Sequence, residues 1–206
     1  MNEVIKILTK VGAIIKDSHF VGTSELHFDT YINKDALFPH TEEVSKICKI
    51  FAKKYQDKNI EVVAAPALGG IILSQWVAHH LTNLTDKEVL SVFTEKTADK
   101  NQIFTRDYDT YVRGKRVLVI EDNVTTGGSV MKVVNAIKNA GGEIAGVCVM
   151  VNRDPMRVNA KTLGVPLEAL SELSVVSYQA DSCPLCKSGV PINTKFGHGK
   201  YLVSLK

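Results

Sequence analysis

Two adjacent carboxylates, Glu121 and Asp122, run into Asn123-Val124-Thr125-Thr126-Gly127-Gly128-Ser129, and this is the stretch best equipped for chemistry. Hydroxyls and glycines in that order suit an anion. Glycine lets backbone N–H groups approach closely, and a helix starting there adds the positive end of its dipole. A phosphate fits. The two acids would repel that phosphate, so they point to sugar hydroxyls or a metal ion beside it. A second turn, Pro66-Ala67-Leu68-Gly69-Gly70, also suits a phosphate, although turns of this kind use glycine for sterics alone as well. Three further candidates are cationic: Lys96 and Lys100 in a polar stretch, and Arg153, which suits a carboxylate or carbonyl ligand or else a structural pair with Asp154.

These residues need elements to hold them. Val117-Leu118-Val119-Ile120 is an unbroken apolar run, the pattern of a strand buried on both faces of a parallel sheet. A helix-like run follows from Val130 to Ala140, so the acids and the Thr/Gly turn fall at the carboxyl edge of the sheet, where open α/β folds bind ligands. Strands are predicted at 60–65, 89–93, 103–106 and 143–151, and a short helix and strand within 163–176. Between strands, Thr94 to Gln102 lacks apolar periodicity and reads as a mobile lid or an ordinary exposed hairpin loop. Glu143 to Val151 ends beside Arg153, on the same sheet edge as Glu121 and Asp122 if the strands are parallel.

Upstream, Val4, Ile5, Leu8, Val11 and Ile15 recur at helical spacing and predict an opening amphipathic helix. Ser18 to Asp35 is polar and turn-rich, with a strand-like end at Thr30 to Ile32. Its His, aromatic and Lys residues suit either a pocket wall, Tyr31 included, or a solvated hairpin. A helix opens at 39–41, with Thr41 as its expected cap, Glu42 and Glu43 in the first turn, and Val44, Ile47, Cys48 and Phe51 as its buried stripe. Another helix is predicted over Ile71 to Leu84.

At 206 residues the chain can bury one sizeable core. The net charge of +3, without a dense Lys/Arg block, gives no footing for nucleic acid. No apolar run reaches membrane-spanning length and the amino terminus lacks signal-peptide design, so the expected address is cytoplasmic. Four cysteines at this length do not build a disulfide scaffold. The pair Cys183-Pro184-Leu185-Cys186 is half of a structural zinc site, with His198 as a third ligand and no evident fourth; reduced thiols are the favoured reading.

Together these pieces resemble the type I phosphoribosyltransferases and, within them, the orotate phosphoribosyltransferases. Val117 through Ser129 is similar to that family's phosphoribosyl-pyrophosphate motif over its full length. Ala65 to Ile71 resembles its pyrophosphate loop, and Ser24-Glu25-Leu26-His27 through Asn33 its hood segment. Phe93 to Lys96 resembles the start of the flexible catalytic loop, and Val151-Asn152-Arg153 falls where orotate enzymes place a base-binding Arg. The Cys-Pro-Leu-Cys tail also occurs in a bacterial subgroup of these enzymes.

The resemblance implies an α/β fold with a central, mostly parallel sheet flanked by helices. It implies one domain, 1–206, with a small hood from about 18–35 and 178–206 and a core of about 36–177. The substrates would be phosphoribosyl pyrophosphate and orotate, with Mg2+ held mainly by substrate near Glu121 and Asp122. Those acids would hold the ribose hydroxyls and act in catalysis with Lys96 and Lys100. Thr125, Thr126, Gly127, Gly128 and Ser129 would cradle the 5′-phosphate, and Ala67, Leu68, Gly69 and Gly70 the pyrophosphate; Tyr31 and Arg153 would face the base. A homodimer, with the loop reaching the neighbouring site, is implied as well.

The chain departs from the pattern at 98–102, where a Lys-x-His-Gly signature is common, and around Thr23 and Gly69, where a Lys is often found. Transfer to another base, purine or modified pyrimidine, and a non-catalytic sensor of phosphoribosyl pyrophosphate are the competing readings. Intact Glu121, Asp122 and Thr125, with no DNA-binding addition, disfavour the sensor.

Overall fold

Valine-rich runs at 62–65, 117–120 and 147–151 are fully buried in the computed structural model of the chain, which describes residues 2–22, 24–199 and 201. Thr23 and Lys200 lie outside the described residues. Two compact units emerge among the described residues: those of 3–39 with those from 174 onward, and His40–Leu173 with Asn2.

The first unit opens with α1 (Glu3–Lys10), which buries Val4, Ile7 and Leu8. The helix stops earlier than the spacing through Ile15 predicts. Gly12 takes a left-handed φ of 69°, and Ile14–Ile15 becomes β1, antiparallel to β4 (Tyr31–Ile32). Between them β2 (Phe20–Val21) pairs with β3 (His27–Phe28). This segment is a hairpin but not a solvated one, since Phe20, Val21, His27 and Phe28 are all buried. A short 3-10 turn, Lys34–Ala36, leads out of the unit.

The second unit carries α2 (Thr41–Tyr55), β5 (Val62–Pro66), α3 (Gly69–Thr85), β6 (Leu90–Lys96), β7 (Gln102–Phe104), α4 (Tyr108–Val112), β8 (Arg116–Val124), α5 (Gly128–Asn139), β9 (Glu143–Asn152), α6 (Ala160–Leu163) and β10 (Leu167–Glu172). Thr41 is the first helical residue of α2 rather than its cap. His40 holds the cap position without a side-chain hydrogen bond, while Glu42 and Glu43 occupy the first turn as expected. The last described helix, α7 (Pro184–Lys187), returns to the first unit. There His198 lies against Tyr201, with ring centroids 5.4 Å apart and planes tilted by 43°, and the donor atoms gathered at the cysteines come from His19 and His27, so His198 is not the expected third ligand.

The six-stranded sheet has the order β10-β9-β8-β5-β6-β7, and every neighbouring pair is parallel except β6 with β7. Strand alternation divides its residues between two layers of helix. Val62, Ala64, Val117, Val119, Val147 and Val149 pack with Val130, Val133, Val134 and Ile137 of α5. Each of those fully buried α5 side chains contributes about 1.5–3 kcal/mol. Val63, Ala65, Leu118 and Ile120 alternate with them and are equally buried. The connections β5–α3–β6 and β8–α5–β9 run in opposite directions from the adjacent strands β5 and β8, which makes the carboxyl ends of that pair the topological switch point.

Candidate active site

Strand β5 stays paired with β6 as far as Pro66 opposite Thr94, but its pairing with β8 ends at Ala64 opposite Val119. Pro66 has no N–H to donate, so the ladder cannot continue through it on that side. The two strands part at the switch point. The loops that leave there are 67–68, entering α3, and 125–127, entering α5.

On β8 the expected pair lies at the end of the buried run. Glu121 is 7% exposed and Asp122 5%, and Glu121 Oε1 accepts a hydrogen bond from the Asp122 backbone N–H at 3.0 Å. Such enclosure is costly for carboxylates, which is the usual mark of a polar group kept for a ligand. Beyond them Gly127 caps α5 at φ 74° and supplies no side-chain cap. A Cβ on Gly127 would come within 3.0 Å of Leu163 Cδ2, so both conformation and space call for glycine. Gly128 differs: a Cβ there would meet only Thr126 Oγ1, at 3.7 Å. Thr125 is half-buried, whereas Thr126, Gly128 and Ser129 are exposed, so the first turn of α5 is open to a ligand.

The other turn is built differently. The Ala67–Leu68 peptide bond is cis, Ala67 N–H donates to the Thr94 carbonyl at 2.9 Å, and Leu68 is largely exposed. A Cβ on Gly70 would lie 2.7 Å from Ala65 Cβ, so this glycine is required by the packing of α3 on β5. The steric reason for glycine holds at Gly70, while the Ala67 N–H and the Leu68 carbonyl are already engaged, with Thr94 and Ile71.

Arg153 follows β9, where its backbone N–H donates to the Val124 carbonyl at 2.8 Å and so joins the ends of β8 and β9. Asp154 Oδ1 accepts from Arg157 N–H at 3.1 Å. The brace beneath Arg153 escaped the sequence reading. Buried Asn152 donates from Nδ2 to the Val158 carbonyl at 2.8 Å and accepts from Asp154 N–H at 3.1 Å. Val158 and Leu163 in turn back Gly127. A capping box at Asn159 and Thr162, visible as an Asn-x-x-Thr spacing, starts the helix that carries Leu163.

Lys96 ends β6 on the same sheet edge, exposed. The stretch after it is an ordered antiparallel hairpin, with Thr94 opposite Phe104 and Lys96 opposite Gln102. Buried Thr94 donates to Gln102 Oε1 at 2.8 Å, which explains why the strand runs past Phe93. Lys100 sits in the tight turn at φ 62°, its carbonyl accepting from Lys132 Nζ of α5. One edge of the second unit thus collects Glu121, Asp122, residues 125–129 and 67–70, Arg153 and Lys96. Lys100 lies in the hairpin turn, and Tyr31 belongs to the first unit, tilted against Phe20 at 5.4 Å and stacked with Phe196 at 6.1 Å.

Comparison with known proteins adds independent findings. The family model of the phosphoribosyl transferase domain matches residues 33–166. An orotate phosphoribosyltransferase of Desulforamulus reducens is 39% identical over 189 residues, 92% of this chain and 93% of its own length. That of Thermus thermophilus is 33% identical over 190 residues, 92% and 98% of the two lengths. In fold, the crystal structure of orotate phosphoribosyltransferase from Aeropyrum pernix is similar at TM-score 0.68 and 22% identity, covering 82% of this chain and 93% of that one. The Mycobacterium tuberculosis enzyme in complex with 5-phospho-alpha-D-ribosyl 1-diphosphate is similar at TM-score 0.59 and 20% identity, with 82% and 89% covered.

Proposed function

We infer that this chain, which belongs to the phosphoribosyltransferase family and within it to the orotate phosphoribosyltransferases, transfers the phosphoribosyl group of 5-phosphoribosyl 1-pyrophosphate to orotate. The products are orotidine 5′-monophosphate and pyrophosphate, in pyrimidine nucleotide synthesis. One observation carries the site: buried Glu121 and Asp122 lead directly into an uncapped glycine turn at the switch point between β5 and β8.

In this reading the 5′-phosphate rests on the first-turn N–H groups of α5 and the hydroxyls of Thr125, Thr126 and Ser129. Glu121 and Asp122 hold the ribose 2′- and 3′-hydroxyls. The backbone of Ala67, Leu68, Gly69 and Gly70 takes the pyrophosphate. In the reaction the bond from the anomeric carbon to the pyrophosphate oxygen breaks, and its electron pair leaves with pyrophosphate. The ring nitrogen N1 of orotate supplies the electron pair of the new bond to the anomeric carbon, and its proton passes to solvent. Positive charge develops on the sugar, and carboxylates already fixed beside it stabilise that charge without reorganising. Arg153 meets the orotate carboxylate, for which a planar guanidinium is suited. Lys96 and Lys100 supply cations to the leaving group.

The donor set fits Mg2+. Glu121 and Asp122 offer hard carboxylate oxygens, and Asn123 Oδ1 is shielded from solvent with no hydrogen-bond partner among the described residues. Beside Glu121 and Asp122, a magnesium ion held mainly by substrate would supply charge neutralisation for the leaving group. Among the described residues no helix is long and apolar enough to cross a membrane. We place the enzyme in the cytoplasm, working as a homodimer whose 96–102 hairpin serves the neighbouring site; gel filtration at one-chain mass would end that part of the reading. For the activity, orotate absorbance is followed with phosphoribosyl pyrophosphate and Mg2+ across a panel of bases. Turnover of another base with orotate untouched would sink the acceptor.

A further inference from the structure

We propose that His19, His27, Cys183 and Cys186 bind a structural zinc ion that joins the β2–β3 hairpin to the carboxyl-terminal tail within the first unit. Their donor atoms all lie within 4.8 Å of one another, although the histidines and cysteines are some 160 residues apart in sequence. His19 Nε2 is 3.8 Å from Cys183 Sγ and 3.8 Å from Cys186 Sγ, and Cys186 Sγ is 3.4 Å from His27 Nδ1. Zinc bonds of about 2.0–2.3 Å in a tetrahedron put neighbouring donors roughly 3.3–3.8 Å apart. The sulfur–nitrogen distances are at that spacing. The two imidazole nitrogens are closer, 2.7 Å, as in a ring–ring hydrogen bond. Zinc entry widens that gap by roughly half an ångström.

The orientation of His19 is a separate observation. Its Nδ1 lies 2.8 Å from the Val190 carbonyl oxygen. A carbonyl only accepts, so Nδ1 carries the proton and Nε2 turns its lone pair toward the cluster. A backbone carbonyl behind the ring is a common outer partner of a metal-bound histidine. In the metal-free pair His27 donates from Nδ1 to His19; on binding, that proton moves to His27 Nε2 and frees the second lone pair.

The cysteines are presented by a tight turn. Lys187 N–H donates to the Cys183 carbonyl at 3.1 Å and Gly189 N–H to the Cys186 carbonyl at 3.0 Å. His19, His27 and Cys183 are 1%, 5% and 0% exposed, so three polar ligands are enclosed and only Cys186 reaches solvent. Two thiolates and two imidazoles select zinc over Mg2+, which takes oxygen. Four protein ligands leave no open position, so the ion is structural. The need is physical as well. The strands of this unit are two residues long, and so small a core gains its folding free energy from a staple. The site stands apart from the phosphoribosyl reading.

Zinc content of the full chain, purified without chelator and measured by plasma mass spectrometry, tests the proposal. We expect about one zinc per chain, falling below roughly a tenth in Cys183→Ser/Cys186→Ser and in His19→Ala, and unchanged in His198→Ala. Ligand variants can fail to fold, so cobalt loading of the unaltered chain gives a second reading, a thiolate charge-transfer band with the intense visible bands of a tetrahedral ion. An unaltered chain without zinc after growth and refolding in zinc overturns the site. So does a Cys183–Cys186 disulfide, or a double cysteine variant that keeps its metal.

Discussion

Replacing Gly128 with Asp separates phosphate binding from folding. Gly128 is the first residue of α5, and a Cβ there meets only Thr126 Oγ1 at 3.7 Å, so the fold accepts a side chain. A carboxylate in a helix's first turn also gains about 0.3–1 kcal/mol from the dipole. Held beside a bound 5′-phosphate, the same carboxylate is repelled: two unit charges 4 Å apart interact by about 4 kcal/mol at an effective dielectric of about 20. Solvent at this exposed turn screens roughly half, leaving about 2 kcal/mol, or about a thirtyfold rise in KM for phosphoribosyl pyrophosphate. Gly127→Ala gives the opposite pattern. Its φ of 74° and the 3.0 Å approach to Leu163 Cδ2 make it a folding lesion, of about 1–2 kcal/mol for the left-handed backbone. Initial rates at saturating orotate, with urea unfolding of the same samples, read both quantities. A Gly128→Asp chain of normal stability whose KM stays within about threefold of the unaltered value would refute the 5′-phosphate assignment.

Three further outcomes follow from the geometry. Asp122→Asn should lower turnover by about a hundredfold or more with an unchanged unfolding midpoint, and wild-type rates would remove Asp122 from the mechanism. Gly70→Ala places its methyl 2.7 Å from Ala65 Cβ and should destabilise the chain by about 1–3 kcal/mol in urea unfolding through overpacking; an unshifted midpoint contradicts the α3–β5 contact. Burial pushes the Cys48 and Cys148 thiols well above their usual range, so iodoacetamide at neutral pH should leave both unmodified until urea is added. Mass spectrometry that finds either alkylated in the folded chain would contradict their burial.

Much of the second unit was legible because its signals are local. The run Val117 to Ile120 and the glycines after it mark β8 and the start of α5; the strand begins one residue earlier and runs on through the acids to Val124, and the helix starts at Gly128, two residues before Val130. β6 ran beyond its predicted end because its last residues pair with β7, and Thr94 hides its hydroxyl against Gln102; apolar pattern carries no sign of such a partner. The first unit was harder to read. Ile14–Ile15 continues a helical spacing yet pairs as a strand, since Gly12 turns the chain before it. His19 and His27 stand in a polar stretch that reads as a pocket wall or a solvated hairpin. Their partners lie in the tail, so only the fold brings the four donors together. His198, closer to the cysteines in sequence, was the misleading neighbour.

Phosphorus NMR on the unaltered chain with phosphoribosyl pyrophosphate, Mg2+ and orotate tests the central claim most directly. The account predicts that pyrophosphate and the phosphate of a pyrimidine mononucleotide appear together, one for one with the orotate consumed, and that neither forms when orotate is left out. Phosphoribosyl pyrophosphate that persists in the presence of orotate, yet is consumed with adenine or hypoxanthine, would contradict it.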